Sequence, residues 1–115
     1  MIKKLFNVID EKNTSAFVDY LTDDCVLQFG NQNPVIGKQD IESNLAAFFD
    51  TIQGLQHNIE SVWPDEEKII SHGTVTYTRL NGSQLTVPFA NIFKMSGELI
   101  REYLIFIDTS ELYAA

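Results

Sequence analysis

Cysteine is almost missing from this chain: Cys25 stands alone, so no intramolecular disulfide can form, and a small secreted scaffold held by such bonds is excluded. The cytoplasm is the expected compartment. Basic residues are scarce as well, eight against sixteen acidic ones, and they never cluster beyond Lys3-Lys4. With a net charge of −8 and no positive patch, neither nucleic acid nor an anionic membrane surface is an expected partner. A small neutral ligand is not disfavoured. No apolar run approaches the roughly 18 residues of a spanning helix, and no charged start with an apolar stretch and a small-residue cleavage site opens the sequence. Histidine is limited to His57 and His72, with no Cys/His cluster and no His-x-x-x-His pair. A dedicated transition-metal site is therefore not expected.

What is present suits ordinary globular material. The 115 residues, 44% hydrophobic and 21% charged, fit one domain around a single core. Ile2, Leu5, Phe6 and Ile9 predict an amphipathic helix, which Asp10-Glu11-Lys12-Asn13 breaks. Asn13 or Thr14 then caps a second short helix that turns Phe17, Tyr20 and Leu21 inward. Thr22-Asp23-Asp24 reads as a turn before a short strand over 25–29, and 30–34 as a loop. A third helix opens at Gln39 or Asp40, presents Ile41, Leu45, Phe48, Phe49 and Ile52, and stops at Gly54. From Leu55 the period falls to two, with His57, Ile59, Ser61 and Trp63 on one face. Strands over 68–79, 84–95 and 99–107 follow, the first two joined by an Asn81-Gly82 turn.

Two of these strands carry the functional reading. Along Leu85 to Met95 every odd position is apolar except Asn91, so a carboxamide faces the core there. Enclosed without partners it costs about 1–3 kcal/mol, so it is either bonded to nearby backbone or used on a ligand. The strand is read as a pocket wall. In the last strand both alternating sets, Ile100/Leu104/Phe106 and Leu99/Tyr103/Ile105/Ile107, are largely apolar. Helices cover one face of a single sheet, so the other is expected to meet a second copy in an isologous homodimer.

Tyr20-Leu21-Thr22-Asp23-Asp24, Gly37-Lys38-Gln39-Asp40-Ile41, Gly54-Leu55-Gln56-His57, Val87-Pro88-Phe89 and Gly97-Glu98-Leu99-Ile100 with Ile107-Asp108 follow in an order that resembles the SnoaL-like branch of the nuclear transport factor 2-like superfamily. The likeness spans nearly the whole chain. It implies an α+β fold of the cystatin-like, SnoaL-like kind: a cone-shaped α+β barrel in which three N-terminal helices pack on a strongly curved mixed or antiparallel sheet around a deep apolar pocket. Members include ketosteroid isomerases, polyketide cyclases, epoxide hydrolases, dehydratases and plain binding or dimerisation modules. Counted without gaps from Asp23-Asp24, the isomerases' phenol donor falls on Leu5 and their general-base carboxylate on Phe29, and neither residue can do that chemistry. Their second oxyanion donor falls on Asn91, whose NH₂ can donate a similar hydrogen bond. The carboxylate that cyclases and epoxide hydrolases carry on the final strand falls on Leu104.

Beside Asn91, two residues qualify as proton carriers. His57 lies on an inward face and its imidazole suits enolisation near neutral pH, or it is a ring bonded at the pocket rim. Glu102 alternates with Ile100, Leu104 and Phe106 and so is expected inward as an acid or base, unless a bulge turns it out to pair with Arg101 or Arg79. The candidate catalytic set is His57, Asn91 and Glu102. Candidate ligand-binding residues are Phe17, Tyr20, Phe49, Trp63, Tyr77, Phe89, Leu104 and Phe106. Asp23, Asp24 and Asp108 read as structural, and Cys25 as buried rather than nucleophilic. The expected protein binds a small hydrophobic molecule, either as a cofactor-free isomerase or cyclase of a carbonyl compound or as a non-catalytic module.

Overall fold

Helix α1 (Ile2–Asp10) buries the stripe Ile2, Leu5, Phe6 and Ile9, as its spacing requires. Helix α2 (Thr14–Val18) begins where the Asn13 side chain accepts from the Ala16 N–H at 3.1 Å. Helix α3 (Lys38–Phe49) follows Gly37 and buries Ile41 and Phe49. The computed structural model describes residues 1–114, and among them no helix is long and apolar enough to cross a membrane.

The described residues also form six strands: β1 (Leu21–Phe29), β2 (Val35–Ile36), β3 (Ile52–Pro64), β4 (Lys68–Arg79), β5 (Gln84–Ser96) and β6 (Leu99–Ile107). Strand β1 takes in Thr22-Asp23-Asp24, which the sequence reading places in a turn. Both acids are exposed there, and the pairing with β6 slips between Leu21 and Val26. Ile52 and Gly54 belong to β3 instead of closing α3, which ends at Phe49.

The six strands form one mixed sheet in the order β2-β1-β6-β5-β4-β3, with only β1 and β6 parallel. It is open and not strongly curled, which corrects the expected cone-shaped barrel. Closure requires the two outermost strands to hydrogen-bond to one another. Here β2 is two residues long and pairs only with β1. On β3, outward-facing main-chain groups are taken up by the end of α1 and the residues after it: the His57 N–H donates to Asp10 Oδ2 at 2.9 Å, and Lys12 Nζ donates to the Ile52 carbonyl at 2.8 Å. The helices therefore lie against one face of an open layer.

Residues paired across antiparallel strands share a face. On the inner face, Tyr77, Val75, Gly73, Ser71 and Ile69 of β4 meet Leu85, Val87, Phe89, Asn91 and Phe93 of β5. Phe89, Asn91 and Phe93 in turn meet Ile107, Ile105 and Tyr103 of β6. Two irregularities redirect what alternation alone predicts. The β3–β4 register slips between Ile59 and Ser61, so Trp63 pairs with Ile70 on the outer face. Gly73 faces that slip, and a Cβ on it would lie 2.0 Å from the Asn58 carbonyl oxygen. The β5–β6 register slips between Lys94 and Met95. Ile100 is buried beside Met95, while Glu102, Leu104 and Phe106 turn outward and Tyr103, Ile105 and Ile107 turn inward.

Candidate functional site

A cavity of about 80 Å³ lies between the helices and the inner face of the sheet. Its walls are mostly aliphatic and aromatic: Ile9 and Phe17 from the first two helices, Leu45, Phe48 and Phe49 from α3, and Leu27, Phe29, Leu55, Tyr77, Phe89, Tyr103, Ile105 and Ile107 from the sheet. The lining also includes His57, Asn91 and two exposed amides, Gln32 and Asn44, which mark its mouth. A cavity of about 150 Å³ holds a benzene ring, and drug-sized ligands occupy about 300 Å³ or more. Only a compound of a few non-hydrogen atoms fits wholly inside; anything larger projects through the mouth.

His57 is the most firmly held polar group in the wall. Its Nδ1 lies 2.6 Å from Asp10 Oδ1, while its backbone N–H donates to the other oxygen of the same carboxylate at 2.9 Å. A carboxylate only accepts, so Nδ1 carries hydrogen, and in the neutral ring Nε2 is the basic atom. The imidazole packs 4.7 Å from the Phe6 ring and edge-on at 5.2 Å from Phe89. Nothing in the sequence pattern singles out Asp10. It is the last residue of α1, inside the tetrapeptide that reads as a polar break, and it comes to His57 only through the packing of α1 on β3.

Asn91 is 1% exposed and its Oδ1 has no hydrogen-bond partner. Two phenols share the cavity. Burial pushes the hydroxyl of Tyr77 well above the usual phenol range, with the charges of Tyr113 and Asp10 adding to it. Burial does the same to Tyr103, helped by Tyr77 and Asp10. Both stay protonated at any ordinary pH and act as neutral donors. The Cys25 thiol, fully enclosed, is pushed up to about 11 by burial and by the nearby acids Asp24 and Glu102. It is not a nucleophile at neutral pH.

The structure thus brings His57, Asn91, Phe17, Phe49, Tyr77 and Phe89 together around one space. It does not bring the rest. Glu102 stands on the outer face with its carboxylate 3.6 Å from Lys94 Nζ, because the slip before Met95 reverses the alternation the sequence suggests. Leu104 and Phe106 follow it outward for the same reason. Trp63 is carried outward by the slip in β3 and is 55% exposed. Tyr20 sits just before β1, where its carbonyl accepts from the Ile100 N–H at 2.8 Å, and it does not line the cavity. Alternation alone puts Tyr103 on the opposite face for want of the β6 slip, and no local signal marks that slip. Among the described residues no group of three or more His, Cys, Asp or Glu side chains gathers as a metal site.

A family model described as a SnoaL-like domain matches residues 2–103. No curated protein matches the chain. An NTF2-like protein of unknown function from Burkholderia pseudomallei superposes with a TM-score of 0.88 at 13% identity, over 98% of this chain and 92% of the other. A hypothetical protein of ketosteroid isomerase-like fold from Catenulispora acidiphila, solved with trimethylamine, gives 0.88 at 14% identity over 98% and 88%. An LEH-like epoxide hydrolase from M. tuberculosis gives 0.81 at 12% identity over 98% and 84%. At these identities the likeness establishes the fold alone.

Proposed function

The chain belongs to the SnoaL-like domain family, and from that premise we propose that it binds a small, uncharged, hydrophobic carbonyl compound in the cavity and moves a proton on it without a cofactor, as isomerases and cyclases do. The observation that carries this reading is the His57 imidazole, aligned by Asp10 in the wall that also holds Asn91, Tyr77 and Tyr103. Nε2 takes a proton from the carbon next to the carbonyl. The oxygen on which negative charge develops is met by neutral donors, the Asn91 amide and the phenols. No lysine or arginine lines the cavity, and the Asp10 carboxylate stands behind the imidazole. An anionic ligand would therefore enter unpaired.

The test uses cyclopentanone in D₂O, with loss of its α-proton signals followed by NMR. Wild type is expected to speed the exchange over buffer, and His57→Gln to lose a factor of about 100 or more of that acceleration. Exchange no faster than buffer with either protein removes the enzymatic reading. One observation favours the alternative, a non-catalytic binding module: Phe29 stands in the cavity wall, and no carboxylate lines it. In that case cyclopentanone raises the melting temperature of wild type while its protons exchange at the buffer rate.

Our reading also includes a homodimer formed through the outer face of the sheet. Ile70, Ile92 and Leu104 line up across β4, β5 and β6, flanked by Trp63 and by Phe106, which is 54% exposed. Leu104→Glu is expected to halve the mass measured by light scattering. A monomeric wild type at tens of micromolar would remove the dimer from the proposal.

A further inference from the structure

Two enclosed polar atoms on the inner face have no hydrogen-bond partner, and they are neighbours. Ser71 Oγ and Asn91 Oδ1 are both unpaired, on residues that are 0% and 1% exposed. Ser71 and Asn91 face each other in the β4–β5 ladder. The Cβ atoms of such pairs stand about 4.5–5.5 Å apart; the two oxygens are not bonded to each other in the structure, and a turn of the serine side chain or one water between them joins hydroxyl and amide oxygen. Their cross-strand neighbours in the same row, Val62 and Ile105, are apolar and offer neither group a partner. Only Asn91 reaches the cavity; Ser71 lies behind it.

The donor and acceptor inventory then fixes the arrangement. An amide oxygen only accepts, and the serine hydroxyl is the donor beside it. In the structure the oxygen is the enclosed end of the amide. We propose that Ser71 is the positioning residue of Asn91: its hydroxyl holds the amide oxygen, so that the site presents an NH₂ donor and not a carbonyl to whatever enters. The cavity therefore selects, at that point, a ligand carrying an acceptor oxygen over one of the same shape carrying only donors. This selectivity rests on the cavity being the ligand site, as proposed above; the Ser71–Asn91 arrangement itself does not.

Two measurements on the full chain separate those layers. With asparagine labelled in ¹⁵N, the Asn91 side-chain protons are expected to show NOEs to the ring protons of Phe89 and Tyr103 and none to the β-protons of Ser71. Ser71→Ala should split or broaden the Asn91 amide signals, and Ser71→Thr, which keeps the hydroxyl, should restore a single sharp set. NOEs from the amide protons to Ser71 in wild type, or signals unchanged by Ser71→Ala, overturn the assignment. The wild-type NOEs decide the matter even if a variant fails to fold. Cyclopentanone should then bind Ser71→Ala about tenfold more weakly than wild type, the worth of one hydrogen bond. If it binds neither protein, the ligand reading fails while the amide signals still judge Ser71.

Discussion

The inner face of the sheet carries two polar pairs, one half-buried and one buried, that are built on opposite terms. In the first, Asp10 uses both carboxylate oxygens, one on the His57 ring and one on the His57 main chain. In the second, the Asn91 and Ser71 side chains are enclosed more completely, yet each keeps an unpaired atom. Gly73 lies between them on β4, with Ser71 two residues before it and Val75, the cross-strand partner of His57, two residues after. A polar group bonded between elements is scaffold as well as chemistry. One that is enclosed with its donor end unbonded forgoes stability, and keeps that end free to bond something that arrives later.

The severest way to break this contrast is to remove what separates the pairs. Gly73→Ala places a Cβ at 2.0 Å from the Asn58 carbonyl oxygen, a clash with backbone that no side-chain rotation relieves. A loss of more than about 3 kcal/mol, or failure to fold, is expected in urea titration. Next in size is Asp10→Ala. It takes the partner from both the imidazole and the main-chain N–H of His57, and should cost about 2–4 kcal/mol, measured the same way.

A third effect tests the space between the pairs through pH. Tyr77 and Tyr103 are raised from 10.0, and Cys25 is raised from 9.0 to about 11. For each, the folded chain resists an ionisation that the unfolded chain undergoes at its ordinary value. Their contribution is therefore fully present below about pH 9 and declines as pH rises through the folded values. The urea midpoint should be level from pH 7 to 9 on their account and fall above that, less steeply in Tyr77→Phe. The smallest expected change has the opposite sign. Asn91→Leu exchanges an amide whose NH₂ end is unpaired for an apolar group of similar size; with the apolar burial gained set against the Ser71 link removed, stability should hold or rise by up to about 1 kcal/mol. Ligand binding is lost with it. A clear loss of stability in Asn91→Leu would mean that the NH₂ end of the amide is already bonded in the free protein, and the contrast between the two pairs would disappear.

How much of this could be read from the residues depended on register. The sequence reading places β4 and β6 at their observed limits and β5 one residue short of its end, and the register between β4 and β5 is unbroken. Simple alternation therefore finds Asn91 and Phe89 correctly. In β3 the slip after Ile59, and in β6 the slip opposite Lys94 and Met95, invert the alternation downstream, and they carry Trp63, Glu102, Leu104 and Phe106 to the other face. A slip of this kind is decided by backbone packing, here Gly73 against Asn58 for β3, and side-chain pattern does not encode it. Asp10 was illegible for a different reason. Its partner lies 47 residues away, and an acid in a helix-ending tetrapeptide looks like solvent-facing punctuation.

The bond from the His57 N–H to Asp10 Oδ2 has a consequence for the protein's behaviour in crowded solution. A border strand of 13 residues such as β3 offers its outer row of amides to any extended segment of another molecule, the first step of sheet growth into aggregates. Asp10 occupies one of those amides, and Lys12 occupies a carbonyl five residues earlier. The carboxylate that aligns the imidazole thus also keeps a foreign strand from docking beside it. Loss of Asp10 would show first as precipitation on concentrating the protein, before any assay of chemistry is run.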